Sequence, residues 1–187
     1  SNRDDEVFFK KIKNSVTTLN GMFDALLNMS KLDAYHTKPN NRYFWLKDFS
    51  NSVLEIVQSH ALNKGVELRV GQLDCQVYGD SLLLQQVLVN LALNAIQYTQ
   101  KGRVEIQFFI HSNAFCFSVI DTGAGISPVD QQNIFKEFYR VDQTRGEHEG
   151  LGLGLTIVMR LCSLIGASVH VDSVLGQGST FTVKTTC

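Results

Sequence analysis

At 187 residues the chain is long enough for one domain with a sizeable core and a smaller appendage. Its hydrophobic share of 44% and charged share of 19% are those of a globular protein, and a net charge of −1 argues against a nucleic-acid-binding surface. No apolar run reaches the roughly 18 residues a bilayer span needs, because Gln85, Gln86, Asn90 and Asn94 interrupt the longest one. The polar, acidic start has no signal-peptide pattern, and Ser1-Asn2 has the form of a tag-cleavage scar, so a piece of a longer protein is expected. Cys75, Cys116, Cys162 and Cys187 show no C-x-x-C and no paired metal spacing, which predicts reduced thiols and a cytoplasmic compartment.

Residues 5–34 predict one long helix in which Ile12, Val16, Leu19, Phe23 and Leu26 follow the spacing of a heptad seam. Such a seam wants a partner. It either packs on its own domain or forms half of a helical hairpin whose mate lies outside this sequence, and the hairpin is the reading favoured here. Residues 36–41, with Pro39, predict a linker. A short strand at 43–46 and a helix at 47–63 follow, the helix ended by Gly65. Strands are expected at 66–70 and 76–78, then a helix at 81–99 capped by Asp80. Strands at 102–111 and 114–121 precede a helix opened by Pro128 and reaching about Phe138. After an irregular polar stretch at 139–149, a helix at 151–165 and strands at 168–173 and 179–184 complete the order. That mixed order predicts one sheet with helices packed on one face.

Three segments carry chemistry. Asn90-Leu91-Ala92-Leu93-Asn94-Ala95 sets two amides on one face of an apolar helix, where each needs a polar partner. Asp121-Thr122-Gly123-Ala124-Gly125-Ile126 puts a carboxylate at a strand end, before glycines that allow a close turn. Gly150-Leu151-Gly152-Leu153-Gly154-Leu155 opens a helix with glycines, where backbone N–H groups and the helix dipole suit an anion. Neither the P-loop pattern nor G-x-G-x-x-G fits that segment.

In this order and spacing the three segments resemble the N, G1 and G2 boxes of the ATP-binding domain of sensor histidine kinases. That family belongs to the wider group that includes DNA gyrase B, Hsp90 and MutL. The resemblance implies an α+β fold, a two-layer α/β sandwich with a mixed sheet and helices on one face (the Bergerat ATP-binding fold), preceded by the long N-terminal helix. It divides the chain into residues 1–39, the second helix of a dimerisation and phosphoacceptor hairpin with its linker, and residues 40–187, the catalytic domain. Implied ligands are ATP and Mg²⁺.

By the same resemblance Asn94 is the Mg²⁺ ligand, and Asn90 is the catalytic residue that orients an attacking imidazole or water. Tyr98 lies near the base, Asp121 accepts from the adenine 6-amino group, and Gly123, Gly125 and Ile126 form the turn beneath it. Gly150, Gly152, Leu153, Gly154 and Leu155 receive phosphates, and Arg140 and Arg145 reach them from a lid. Phe135 and Phe138, in a segment resembling the F box, anchor that lid. Thr180, in Gly176-Gln177-Gly178-Ser179-Thr180-Phe181, lies near the adenine aspartate. One position departs from the family, since Gln97 stands where Lys or Arg is usual.

None of His36, His60, His111, His148 and His170 sits in an H-[ED]-x-x-x-P-like helix start, so the phosphoacceptor is expected outside this sequence. The implied partners are that acceptor helix, a response regulator receiver domain and a second copy of the intact protein. The implied compartment is cytoplasmic. Three other readings stand beside this one: a nucleotide-binding module that no longer catalyses, an ATPase clamp like MutL or Hsp90, and, remotely, an aspartic protease from the D-T-G-A loop.

Overall fold

The computed structural model describes residues 38–141 and 152–186. The long helix expected at 5–34, together with His36, Arg145, His148 and Gly150, lies outside the described residues. Chain order is β1 (Arg42–Trp45), α1 (Leu46–Lys64), β2 (Glu67–Val70), β3 (Gln76–Gly79), α2 (Ser81–Tyr98), β4 (Arg103–His111) and β5 (Ala114–Asp121). Then come α3 (Pro128–Gln131), α4 (Gly154–Leu164), β6 (Ser168–Val174) and β7 (Gly178–Lys184).

Five strands form one mixed sheet in the order β2-β4-β5-β7-β6. Only β2 and β4 run parallel; the remaining neighbours are antiparallel. Along β5, Phe115, Phe117, Val119 and Asp121 share one face by strand alternation. The first three belong to the hydrophobic core, and α2 packs over β4 and β5 from that side. α1 and α4 flank α2, which completes a layer of helices on one face of the sheet.

Each long helix is explained locally. α1 buries Leu46, Phe49, Ser50, Val53, Val57 and Ala61, a stripe at three- and four-residue spacing, and ends where Gly65 takes φ +70°. α2 begins at Asp80, whose Oδ1 accepts the N–H groups of Leu82 and Leu83 at 3.1 Å. The same carboxylate takes the Asn40 N–H at 2.8 Å, which fastens the entering chain to this cap.

Two expectations change. β1 and β3 pair only with each other, with Tyr43 opposite Tyr78 and their rings 5.1 Å apart, so a two-stranded ribbon stands beside the mixed sheet. The helix expected to run from Pro128 to Phe138 stops at Gln131 and continues as tight turns. The N–H groups of Asn133, Lys136 and Tyr139 donate to carbonyls three residues back, and Phe138 at φ +61° leaves the helical region.

Candidate functional site

Asp121 closes β5 on the helix-facing side, and only 6% of its surface is exposed. Its Oδ1 accepts the Gly123 N–H at 2.8 Å. Across the sheet its register partner is Ser179, whose backbone and hydroxyl both bond to the carboxylate. Burial pushes this carboxyl up from its usual range, and the bonds from Gly123 and Ser179 pull the other way without cancelling it. A carboxylate has about four acceptor positions, so the three bonds from Gly123 and Ser179 leave one for a further donor.

The loop after Asp121 is pressed against its surroundings on both sides. A Cβ at Gly123 would lie 2.5 Å from the Tyr98 carbonyl oxygen, and the Ala124 N–H donates to that oxygen at 3.3 Å. Tyr98, the last residue of α2, is thereby joined to the loop. On the far side Gly125, at φ +67°, would place a Cβ 2.0 Å from the Val174 carbonyl, and Gly176 N–H donates to Ala124. Ile126 packs at the edge of the core and donates its N–H to Ser173 Oγ at 2.8 Å.

A second group of predicted residues meets further along α2. Asn94, half-buried, faces Gly154, the first residue of α4: a Cβ there would lie 3.2 Å from both amide atoms. Leu153 stands at the cap position of α4 without a side-chain hydrogen bond, and the first turn carries no acidic residue. Among the described residues the start of α4 thus has no side-chain cap, which suits an anion. Gly152, at φ +70°, would set a Cβ 2.6 Å from the Tyr139 carbonyl and 3.2 Å from Arg140 Cγ, so the Arg140 stem lies against the Gly152 turn. Leu155 packs on the core margin. Asn90 sits one turn before Asn94 and donates its amide N–H to Gln86 O at 2.8 Å.

The segment before the lid is tied down at several points. Phe135 packs edge-on against Phe181, with ring centroids 6.5 Å apart. Tyr139 donates its hydroxyl to Asp130 at 2.6 Å, and Ser127 does the same, so these two donors, Ser127 foremost, hold the Asp130 carboxyl below the ordinary range. Arg160 of α4 pairs with Glu137 at 2.6 Å. Phe138 is a correction: it is 62% exposed and anchors nothing among the described residues.

Thr180 is a second correction. It pairs with Ile120 and Asp172, on the opposite face of the sheet from Asp121. The hydroxyl beside the aspartate belongs to Ser179, one residue earlier, which the register of β7 sets opposite Asp121. Lys64 was missed as well: its ammonium donates to the carbonyls of Ile96, at 2.8 Å, and Gln97, capping α2, and partial burial lowers its pKa.

α2 carries a residue of both groups. Tyr98 stands at the Asp121 end and Asn94 at the anion end, one helical turn and about 6 Å apart. Among the described residues no cluster of three or more His, Cys, Asp or Glu could hold a metal ion. A cation here would take oxygens from phosphates and from an amide such as Asn94, the donor set that Mg²⁺ accepts. The protease reading fails because Asp121 faces Ser179 within a sheet layered with helices.

The family profile described as histidine kinase-, DNA gyrase B- and HSP90-like ATPase matches residues 79–186. The autoinducer 2 sensor kinase/phosphatase LuxQ of Vibrio vulnificus is 33% identical over 178 residues, covering 90% of this chain and 21% of that protein. The sensor histidine kinase RppB of Synechocystis is 35% identical, over 89% of this chain and 37% of its own length. The chain thus spans between a fifth and two-fifths of these relatives. Among solved structures, full-length ShkA in complex with AMPPNP has a TM-score of 0.79 at 30% identity, covering 89% of this chain and 35% of that one. The Acinetobacter baumannii histidine kinase AdeS has a TM-score of 0.77 at 25% identity, covering 97% of this chain and 84% of the other.

Proposed function

Because the chain belongs to the histidine kinase-, DNA gyrase B- and HSP90-like ATPase family, we propose that Asp121 receives the adenine of ATP and that the intact protein passes the γ-phosphoryl group to a histidine. The domain is an ATP-binding catalytic domain of the histidine kinase type. One observation carries the adenine assignment. Asp121 is a buried acceptor at the end of β5, in a loop whose glycines let it press on the Tyr98 and Val174 carbonyls, so the carboxylate is held fast beside the end of α2. Its carboxylate accepts from the 6-amino group of adenine and finds no such donor at the carbonyl of guanine.

Tyr98 lines the base. The N–H groups of Gly152 and Leu153 and of the first residues of α4, Gly154 and Leu155, receive phosphate oxygens, and Arg140 reaches them from the root of the lid. Gly150 and Arg145 join this set from the lid. Asn94 would hold Mg²⁺ through its amide oxygen, and the cation would supply charge neutralisation on the triphosphate. Asn90 orients the attacking imidazole. In the transfer the imidazole nitrogen bonds to the γ-phosphorus as the bond to the bridging oxygen of ADP breaks. Such a transition state needs positioning and charge neutralisation more than covalent help.

Residues 1–39 belong to a dimerisation hairpin and its linker, and residues 40–187 form the catalytic domain. The acceptor histidine lies on a helix outside this sequence, the intact protein is a homodimer, and a receiver domain accepts the phosphoryl group next. ATP places this work in the cytoplasm. Among the described residues no helix is long and apolar enough to cross a membrane.

Calorimetric titration of ATP with Mg²⁺ into the 187-residue chain, beside GTP, tests the pocket. Saturable ATP binding with GTP at least tenfold weaker is expected; a folded chain that binds neither overturns the reading. In the intact protein, γ-labelled ATP should leave an acid-labile, alkali-stable phosphoramidate. An Asn90→Ala variant should lose that label while keeping ATP affinity within about threefold, the pattern of a group acting in the transition state.

A further inference from the structure

The hydroxyls of Ser173 and Ser179 lie 3.0 Å apart at the end of the β6–β7 hairpin, between Asp121 and the loop that follows it. Ser179 stands opposite Asp121 and bonds its carboxylate. Ser173 accepts the Ile126 N–H at 2.8 Å and lies 2.9 Å from the Gly178 carbonyl oxygen. Gln131 of α3 donates at 2.9 Å to the carbonyls of both Ile126 and Ser173, which holds loop and strand in one frame.

Two hydroxyl hydrogens here serve three acceptors: the Asp121 carboxylate, the Gly178 carbonyl and the neighbouring hydroxyl. Three arrangements follow from that count. In the first, Ser179 donates to Asp121 and Ser173 donates to Ser179, so a continuous chain runs from the Ile126 N–H to the carboxylate. In the second, Ser179 turns to Ser173, Ser173 donates to Gly178, and Asp121 loses a donor. In the third, Ser179 donates to Asp121 and Ser173 to Gly178, which leaves two hydroxyl oxygens 3.0 Å apart with no hydrogen between them. An ionised carboxylate disfavours the second, because a charge-assisted bond is roughly twice as strong as a neutral one. The close oxygen pair disfavours the third, and in the first each link polarises the next.

We propose that Ser173 is a positioning residue for base recognition. By donating to Ser179 it turns that hydroxyl onto Asp121 and holds the carboxylate in the orientation that receives an exocyclic amino group. The Ile126 N–H feeds the same chain, so the loop beneath the base and the acceptor of its amino group are set by one side chain. This inference rests on the adenine reading of Asp121. It adds a residue on β6 that acts through Ser179.

The test compares ATP with purine riboside triphosphate, which lacks the 6-amino group, by calorimetry with Mg²⁺ on the 187-residue chain. Ser173→Ala should weaken ATP roughly three- to tenfold, the loss of about one hydrogen bond, and leave the purine analogue within about twofold. Ser173→Thr, which keeps the hydroxyl, should restore ATP affinity. Equal loss for both nucleotides would mark Ser173 as merely structural and overturn the proposal, as would no loss for either. If Ser173→Ala fails to fold, Ser173→Cys carries the same comparison, because a thiol of similar size is a weak donor. A wild-type chain that binds both nucleotides equally would overturn the adenine reading and this inference with it. Preference for ATP in the wild type, unchanged in Ser173→Ala, would overturn the inference alone.

Discussion

Gly154, the first residue of α4, faces the amide of Asn94 on α2 so closely that a Cβ would lie 3.2 Å from both its nitrogen and its oxygen. Two of the sequence segments are therefore in contact through an absent side chain, and the contact separates binding from stability. Gly154→Ala should push the Asn94 amide aside and weaken ATP with Mg²⁺ roughly tenfold, about 1.4 kcal/mol. Alanine is the better helix former, so urea-melt stability should hold or rise by less than about 1 kcal/mol. A large loss of stability with unchanged affinity would contradict this.

The raised pKa of Asp121 gives a pH signature. Between the ordinary carboxylate value and the raised folded one, the native state holds the extra proton, so stability falls as pH rises through that window and levels above it. Asp121→Asn removes this dependence and should leave thermal stability at neutral pH unchanged or higher. ATP affinity should drop about 10- to 100-fold, the worth of a hydrogen bond to a charged group. In the wild type, ATP binding should weaken as pH falls through the raised value, because the acceptor is then protonated. Calorimetry across that window checks both directions.

Gly125 combines φ +67° with a Cβ position 2.0 Å from the backbone oxygen of Val174, and neither end of that clash is a flexible side chain. Gly125→Ala should cost more than about 2 kcal/mol in denaturant unfolding and lose ATP binding at the same time. A variant that melts like the wild type would mean the loop can step away from β6.

Phe135 and Phe138 should behave oppositely. Phe135→Ala removes a ring packed on Phe181 and the core margin, and should destabilise by about 2–4 kcal/mol. Phe138→Gly relieves a bulky residue at φ +61° whose ring is mostly in solvent, so its stability should stay within about 1 kcal/mol of the wild type or exceed it. Paired urea melts decide it.

What could be read in advance was what short stretches of chain decide for themselves. Asp80 before an apolar helical pattern, Gly65 after one, Pro128 at a first turn and the alternation of β5 each follow from forces within a few residues. The three glycine and asparagine segments were legible for the same reason, since amides one turn apart and glycines at a helix start are local facts. What escaped was set by partners distant in sequence. The choice of Ser179 over Thr180 depends on the register of β7 against β5, and a slip of one residue exchanges the two faces of a strand. The separate β1–β3 ribbon depends on a pairing across α1 and β2. Residue types alone marked the carboxylate and the glycine turns; only tertiary packing brought the Asp121 loop against Tyr98 and the start of α4 against Asn94, both on α2.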